Sequence, residues 1–360
     1  MQIRRLDRLA DLTDPAALGA VSVHEEPLST VGFSGATHRR LVVVSHSGET
    51  RCYVLKLCDP AHEWTAIRTG DRAGREWSLL AERALDGVWD VFVSPYVAYA
   101  VEGDRSGLLM EDLGAHVFPD VREPIARSHE DELLTALARL HARFWDSPAL
   151  STSWLGRASS TSEIILPTVL DDVAALALMP PALRERLRLG WDAALTRVSA
   201  RAADILRCPA RVVQEAWADL PQTLLHGDVK VANFATLPGR GVAAFDWALV
   251  GVGPSTTDLG WYLAVNASRL AREKEAVIAR YRELLERELA RELGDALWAR
   301  LEDAAVIYGA RTMLWSKGAQ VAAGSQAAQA EWDWWASRVE HAAERAGSVA
   351  FADDPFDRDD

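Results

Sequence analysis

The sequence predicts an α+β protein of two lobes, with a strand-rich first part and a mainly helical second part. Runs of β-branched residues separated by turn signals fill the first hundred or so positions, which is typical of β-hairpins. After Gly114, most segments instead repeat apolar residues every three to four positions, as amphipathic helices do. We therefore predict lobes at 1–112 and 113–350, followed by a solvated, disordered acidic tail at 351–360.

The first lobe is predicted to contain strands, one helix and further strands. The runs "RRLVVVSH" and "RCYVLKL" flank the turn "SGET", which predicts a hairpin. A helix follows from about Asp71, the predicted N-cap, because Trp77, Leu80 and Ala84 lie at helical spacing. The segments "VFVSPYVAYAVEG" and "SGLLMEDL" are two more strand candidates around a turn-prone stretch. Together they predict an antiparallel sheet with one helix.

Two short segments interrupt the helical character of the second lobe. The stretch "LLHGDVKVANF", residues 224 to 234, begins with two apolar leucines and ends in polar turn residues. Shortly after it, "GVAAFDW" has the composition of a buried strand. Farther along, Gly324 is predicted to separate two helices.

Composition and charge narrow the class of protein. The chain has 360 residues and a formal net charge of -13, which argues against the basic surface that binding to nucleic acid or to an anionic membrane requires. The charged N-terminus lacks the apolar core of a signal peptide, and no apolar run approaches the roughly 20 residues of a membrane span. Three cysteines without metal-ligand spacing fit reduced core thiols. We expect a cytoplasmic protein.

The residues of "LLHGDVKVANF" match the needs of phosphoryl transfer. Asp228 is followed by Asn233 five residues later and by Asp246 eighteen residues later. Phosphoryl transfer uses one carboxylate to orient and deprotonate a hydroxyl, and a carboxylate with an amide oxygen to hold Mg²⁺. The alternative is a buried turn in which Asp228 and Asn233 cap neighbouring backbone groups.

The segments "HGDVKVAN" and "FDW" resemble the catalytic loop and the metal-binding segment of the aminoglycoside phosphotransferase and choline kinase-like family. These enzymes are relatives of the eukaryotic-type protein kinases. The resemblance implies a two-lobed protein-kinase-like fold, in which Asp228 is the catalytic base and Asn233 and Asp246 are the metal ligands. It also matches Lys230 to a lysine that contacts the transferred phosphate in many protein kinases, although a solvated loop lysine is an equal alternative.

The same resemblance requires a lysine on a strand of the first lobe and a glutamate on its helix. Lys56 lies in the apolar run "VLKL", where an unpaired charge is costly, and Glu76 follows twenty residues later on the predicted helix. Such a pair can aim the ammonium at the α- and β-phosphates of ATP. The alternative is a Lys56 head group in water and a surface Glu76.

Further positions are implied to bind the nucleotide or to brace the loop. Gly32 and Gly35 lie between strand candidates, where backbone N–H groups can approach phosphates. Backbone groups from Glu111 to Leu113 match the segment that binds adenine in the family. His226 is assigned to bracing the catalytic loop, as is the carboxylate of Asp258 from the next helix, for which an N-cap is the alternative role.

We therefore expect transfer of the γ-phosphoryl group of ATP, with Mg²⁺, to a hydroxyl of a small molecule such as an antibiotic, an amino alcohol or a sugar. A Ser/Thr peptide kinase and a catalytically inactive nucleotide-binding protein are the alternatives. A monomer and a dimer both fit the sequence, as do ATP and GTP. Aromatic residues near the C-terminus suit a cationic or sugar acceptor, but their helical spacing favours an ordinary core stripe: Trp315, Trp332, Trp334 and Trp335.

Overall fold

A computed structural model of the chain describes residues 3–28, 35–72, 74–118 and 123–346. Gly32 and the predicted tail at 351–360 lie outside these residues. The strands are β1 (Arg4–Leu6), β2 (Ala20–Pro27), β3 (Thr37–Ser45), β4 (Thr50–Cys58), β5 (Tyr96–Glu102), β6 (Arg105–Glu111), β7 (Gly156–Arg157), β8 (Thr223–Leu225), β9 (Phe234–Leu237), β10 (Gly241–Ala244) and β11 (Gly251–Gly253). The helices are α1 (Pro15–Leu18), α2 (Trp64–Thr69), α3 (Arg75–Ala81), α4 (Arg127–Arg143), α5 (Ala158–Thr161), α6 (Val173–Leu178), α7 (Pro181–Leu195), α8 (Ala200–Arg207), α9 (Ala210–Ala216), α10 (Thr256–Val265), α11 (Lys274–Leu289), α12 (Asp295–Ala322) and α13 (Gln326–Ala346).

Contacts within the chain define two units. Among the described residues, the first unit contains 3–118, Thr152–Trp154 and Ala232–Leu249, and the second contains the remaining segments. The β9–β10 hairpin belongs to the first unit because the N–H of Val93 donates to the carbonyl of Val242 at 2.9 Å. A division of the sequence at residue 112 alone assigns this hairpin to the other lobe.

The first unit is built on a six-stranded sheet with the order β1-β5-β6-β4-β3-β2. The β3–β4 hairpin predicted from the sequence is confirmed, with Leu41 opposite Tyr53. The neighbouring pairs are antiparallel, except that β1 runs parallel to β5. One face of the sheet is covered by apolar side chains that include Leu12 and Leu109.

The prediction of one helix in this unit is wrong, because α1 and α2 are present as well. Both are too short, at four and six residues, for an apolar period to be visible in the sequence. The predicted helix near Asp71 begins later, at Arg75. The Asp71 carboxylate accepts from the N–H groups of Gly74 and Arg75, so it caps the start of α3 from outside.

The second unit is mainly helical, as predicted, and α7, α10 and α13 pack against the 28-residue helix α12. Two of these contacts depend on glycine. A side chain at Gly190 would meet the backbone of Trp315, and one at Gly260 would meet the backbone of Ala305. Gly324, with a φ of +82°, separates α12 from α13 as the sequence predicted. No described helix combines the length and apolar character needed to cross a bilayer.

Gly260→Ala is expected to destabilise the second unit. The added methyl group would press on the carbonyl of Ala305, which as a backbone atom cannot rotate away. We expect the free energy of unfolding, measured by urea denaturation, to fall by about 1–3 kcal/mol. Gly294→Ala is the matched control, since its φ is -56° and a methyl group there meets no atom within 4 Å. Equal stability of the two variants would contradict the close approach of α10 and α12.

Candidate active site

The loop that begins at His226 directly follows β8, a strand of a small three-stranded sheet. Strand β8 pairs antiparallel with β11, with Leu225 opposite Gly251, and β11 also pairs with β7. A side chain at Gly251 would lie 2.8 Å from the carbonyl oxygen of Gly156, so only glycine allows the strands to approach this closely. The root of the loop is therefore fixed by backbone pairing on both sides of β11.

The carboxylate of Asp258 holds the first residues of the loop. This side chain on α10 is 1% exposed, and its Oδ2 accepts from the N–H of His226 at 2.8 Å. Its Oδ1 accepts from the N–H of Gly227 at 3.0 Å, and Gly227 has a φ of +82°. The N–H of Asp228 in turn donates to Nδ1 of His226 at 3.3 Å. These bonds tie the backbone of His226 and Gly227 to α10.

Three further side chains complete this support, and sequence reasoning missed them. His141 of α4 lies with Nε2 at 3.2 Å from Oδ2 of Asp258 and with Nδ1 at 2.6 Å from the hydroxyl of Tyr281. Asn266, which caps the end of α10, accepts from the N–H of Val231 and donates to the carbonyl of Val229. The sequence signals that could have identified two of them are His141, which continues the apolar stripe of Leu134 and Leu137 on α4, and Asn266, which directly follows the apolar run of α10.

The carboxylate of Asp228 accepts a hydrogen bond from an indole. Nε1 of Trp261, on α10, donates to Oδ1 of Asp228 at 2.7 Å, and both side chains are partly exposed. No local sequence pattern connects the two residues, since 33 positions separate them. Lys230 is also partly exposed, two residues after Asp228 on the same loop.

In the first unit, two carboxylates surround the buried ammonium of Lys56. The Nζ atom of this β4 residue lies 2.6 Å from Oε2 of Glu76 on α3 and 2.6 Å from Oδ1 of Asp246. The predicted pair of Lys56 and Glu76 is therefore present, while the contact with Asp246 is an addition to the prediction. The hydroxyl of Tyr96, at the start of β5, donates to Oε1 of Glu76 at 2.6 Å. Both oxygens of Glu76 are thus engaged.

The electrostatics of this cluster keep Lys56 charged. Burial alone would lower the pKa of Lys56, but the negative charges of Asp246 and Glu76 outweigh it and raise the pKa well above its ordinary value. Burial also raises the pKa of the Tyr96 hydroxyl, and the charge of Glu76 adds to that effect. Tyr96 therefore remains a neutral O–H donor to Glu76 at any pH near neutrality.

Asn233 and Asp246 are neighbours because they flank the β9–β10 hairpin. Phe234 pairs with Ala244 at its open end, and the N–H of Phe245 donates to the carbonyl of Asn233 at 3.1 Å. The hairpin thus brings Asn233 and Asp246, which are distant in sequence, to the same open end. Asp246 has a φ of +62°, a sparsely populated conformation for a residue with a side chain.

The predicted nucleotide-binding positions that the structure describes lie in the first unit as well. Gly35 has a φ of +93°, which favours glycine. At the end of β6, the N–H of Glu111 donates to the carbonyl of Pro95 and that of Asp112 to the carbonyl of Cys52. These bonds tie the end of β6 to the segment before β5 and to β4.

The aromatic residues near the C-terminus are mainly structural. Trp315, Trp332 and Trp335 are at most 6% exposed, as the helical spacing favoured. Trp334 lies at the surface, where its Nε1 donates to Glu275 and the ammonium of Lys274 lies 5.1 Å from its ring centroid. These four tryptophans are accounted for by packing and by surface ion contacts.

Comparison with known proteins places these residues in a family context. A model of the phosphotransferase enzyme family matches residues 30–302 of the chain. No curated protein matches the chain. Among solved structures, the chain is similar to an aminoglycoside phosphotransferase from Alicyclobacillus acidocaldarius subsp. acidocaldarius DSM 446, with 15% identity, a TM-score of 0.46 and coverage of 92% of this chain and 92% of that one.

Two other solved structures show comparable similarity. Macrolide 2'-phosphotransferase MphH from Brachybacterium faecium has 17% identity and a TM-score of 0.43, over 92% of this chain and 97% of that one. Choline kinase LicA from Streptococcus pneumoniae has 13% identity and a TM-score of 0.44, over 93% of this chain and 96% of that one.

Asp258→Asn is expected to loosen the loop. Both carboxylate oxygens accept N–H bonds, so an amide must turn its NH₂ group towards at least one donor in either orientation. We expect the free energy of unfolding, measured by urea denaturation, to fall by about 1–3 kcal/mol. Asp333→Asn is the control, because Asp333 is exposed and only accepts from Gln329 one turn earlier. Identical stability of the two variants would rule out a bracing role for Asp258.

Proposed function

Because the chain belongs to the phosphotransferase enzyme family, we propose that it transfers the γ-phosphoryl group of ATP to a hydroxyl of a small molecule. The observation that carries this proposal is the buried ammonium of Lys56, which lies 2.6 Å from both Glu76 and Asp246. An ammonium that is held in place by carboxylates is suited to neutralise phosphate oxygens. The candidate acceptors are aminoglycosides and other antibiotics, amino alcohols and sugars.

Lys56 would bind the α- and β-phosphates, and its own partners fix its direction. Glu76 holds the ammonium, and the Tyr96 hydroxyl holds Glu76, so neither side chain is free to turn away. Backbone N–H groups near Gly32 and Gly35 would approach the phosphates, and backbone groups from Glu111 to Leu113 would bind the base. In this proposal, the sheet and helix of the first unit supply the groups that contact the phosphates and the base.

Asn233 and Asp246 would hold Mg²⁺. In the described part of the chain, no group of three or more His, Cys, Asp or Glu side chains could hold a metal ion. Magnesium needs fewer protein ligands when phosphates and water complete its octahedral shell, and it prefers hard oxygen donors, so one amide and one carboxylate fit it. When bound, the ion supplies positive charge that neutralises the phosphates.

Asp228 would act as the base. As the acceptor oxygen forms its bond to the γ-phosphorus, the bond from that phosphorus to the bridging oxygen breaks, and ADP leaves with the electron pair. The hydroxyl proton passes to the carboxylate of Asp228. His226 and Asp258 keep the loop in position for this step, and Lys230 would contact the transferred phosphate.

The deciding experiment offers Mg·ATP with separate acceptors to purified protein. The acceptors are a panel of aminoglycosides, other hydroxylated antibiotics, amino alcohols, sugars and Ser/Thr peptides, and the products are weighed by mass spectrometry. We expect one small-molecule class to gain a single phosphate. Asp228→Asn removes the base at nearly constant shape, and we expect it to lower kcat by at least about 100-fold.

The controls separate the alternatives. Asp333→Asn, an exposed carboxylate, should keep full activity. Phosphate on peptides alone would favour the peptide kinase, since Lys230 matches a lysine of many protein kinases. If neither the wild-type protein nor Asp228→Asn binds Mg·ATP in calorimetry, the proposed function is wrong.

A further inference from the structure

The indole of Trp261 contacts the residue proposed as the base. Its Nε1 donates to Oδ1 of Asp228 at 2.7 Å, within the range of hydrogen bonds to charged carboxylates. We propose that Trp261 is a positioning residue for phosphoryl transfer, which holds the carboxylate of Asp228 in one orientation. This inference rests on the proposed function for its consequence in catalysis, but the contact itself can be tested without turnover.

The chemistry of indole limits what Trp261 can do. Its N–H is a donor only, so it cannot take the proton from the acceptor hydroxyl or pass it on. What it can do is stabilise the ionised form of Asp228 and restrict rotation of the carboxylate about its χ2 angle. Both effects keep the base ready to receive a hydroxyl.

Helix α10 places the indole rigidly. Asp258, three residues earlier on the same helix, accepts bonds from the backbone of the loop, so the helix holds the loop at two levels. Gly260 lies against the backbone of Ala305, and the Thr256 hydroxyl donates to the carbonyl of Leu301, which together anchor α10 on α12. The helix therefore fixes the backbone of the loop through Asp258 and the side chain of the base through Trp261.

Exposure distinguishes Trp261 from a core residue. Its neighbours Gly260 and Tyr262 are buried, whereas the Trp261 side chain is partly exposed beside a carboxylate that is also partly exposed. A tryptophan that served packing alone would have no need to direct its N–H at this carboxylate.

Trp261→Phe removes the N–H and keeps most of the aromatic surface. We expect kcat to fall by about 10- to 100-fold with an unchanged KM for Mg·ATP, because the base becomes misoriented while nucleotide binding is untouched. The rates are measured with water as acceptor and with any alcohol that the panel identifies. Trp334→Phe is the matched control, since it removes an indole N–H bonded to Glu275 at the surface and should leave both constants unchanged. An unchanged kcat in Trp261→Phe overturns the proposal.

A spectroscopic measurement tests the contact in folded protein without activity. In uniformly ¹³C,¹⁵N-labelled protein, sequential assignment identifies the indole signal of Trp261 without a variant at that position. Asp228→Ala keeps the indole and removes its acceptor, so this signal should move upfield, whereas the Trp334 signal should stay in place. An unmoved Trp261 signal overturns the proposal even if Trp261→Phe fails to fold. If the signal moves but wild-type protein phosphorylates nothing, the proposed function fails and the contact stands.

Discussion

The charge of Lys56 must be compensated inside the protein, and the first unit is arranged around that requirement. An ammonium that is 3% exposed cannot rely on water, and removing one partner of such a pair typically costs several kcal/mol. The partners come from separate elements: Glu76 from α3 and Asp246 from the turn after β10. Because each element supplies one partner, the sheet, the helix and the hairpin are tied to one point.

In the second unit, the buried charge that must be compensated is a carboxylate instead of an ammonium. Asp258 is almost fully buried, and its oxygens are satisfied by N–H groups of the loop and by His141. A buried carboxylate that accepts backbone N–H bonds fixes the backbone that supplies them. The loop of Asp228 is therefore held without covering Asp228 itself, which stays partly exposed.

The sequence predicted those elements and those candidate-site residues that depend on short-range patterns. The β3–β4 hairpin follows from two β-branched runs and a turn, and Lys56 stands out because a charge in an apolar strand needs a partner. Tyr96, Trp261 and Asn266 were not predicted. Each acts through a partner twenty or more residues away, and no local pattern records which buried or half-buried side chains will meet.

The tryptophans of the chain differ in the partners of their indole N–H groups. The chain has fourteen tryptophans, and three of them lie on α13: Trp332, Trp334 and Trp335. That helix has other obligations, since Nε1 of Trp335 donates to Glu331, which also pairs with the buried Lys317. Burial lowers the pKa of Lys317, so losing the carboxylate of Glu331 would leave a buried charge without compensation. This face of α13 is therefore committed to the ion pair. By contrast, Trp261 donates its Nε1–H to the candidate base Asp228 and is itself partly exposed.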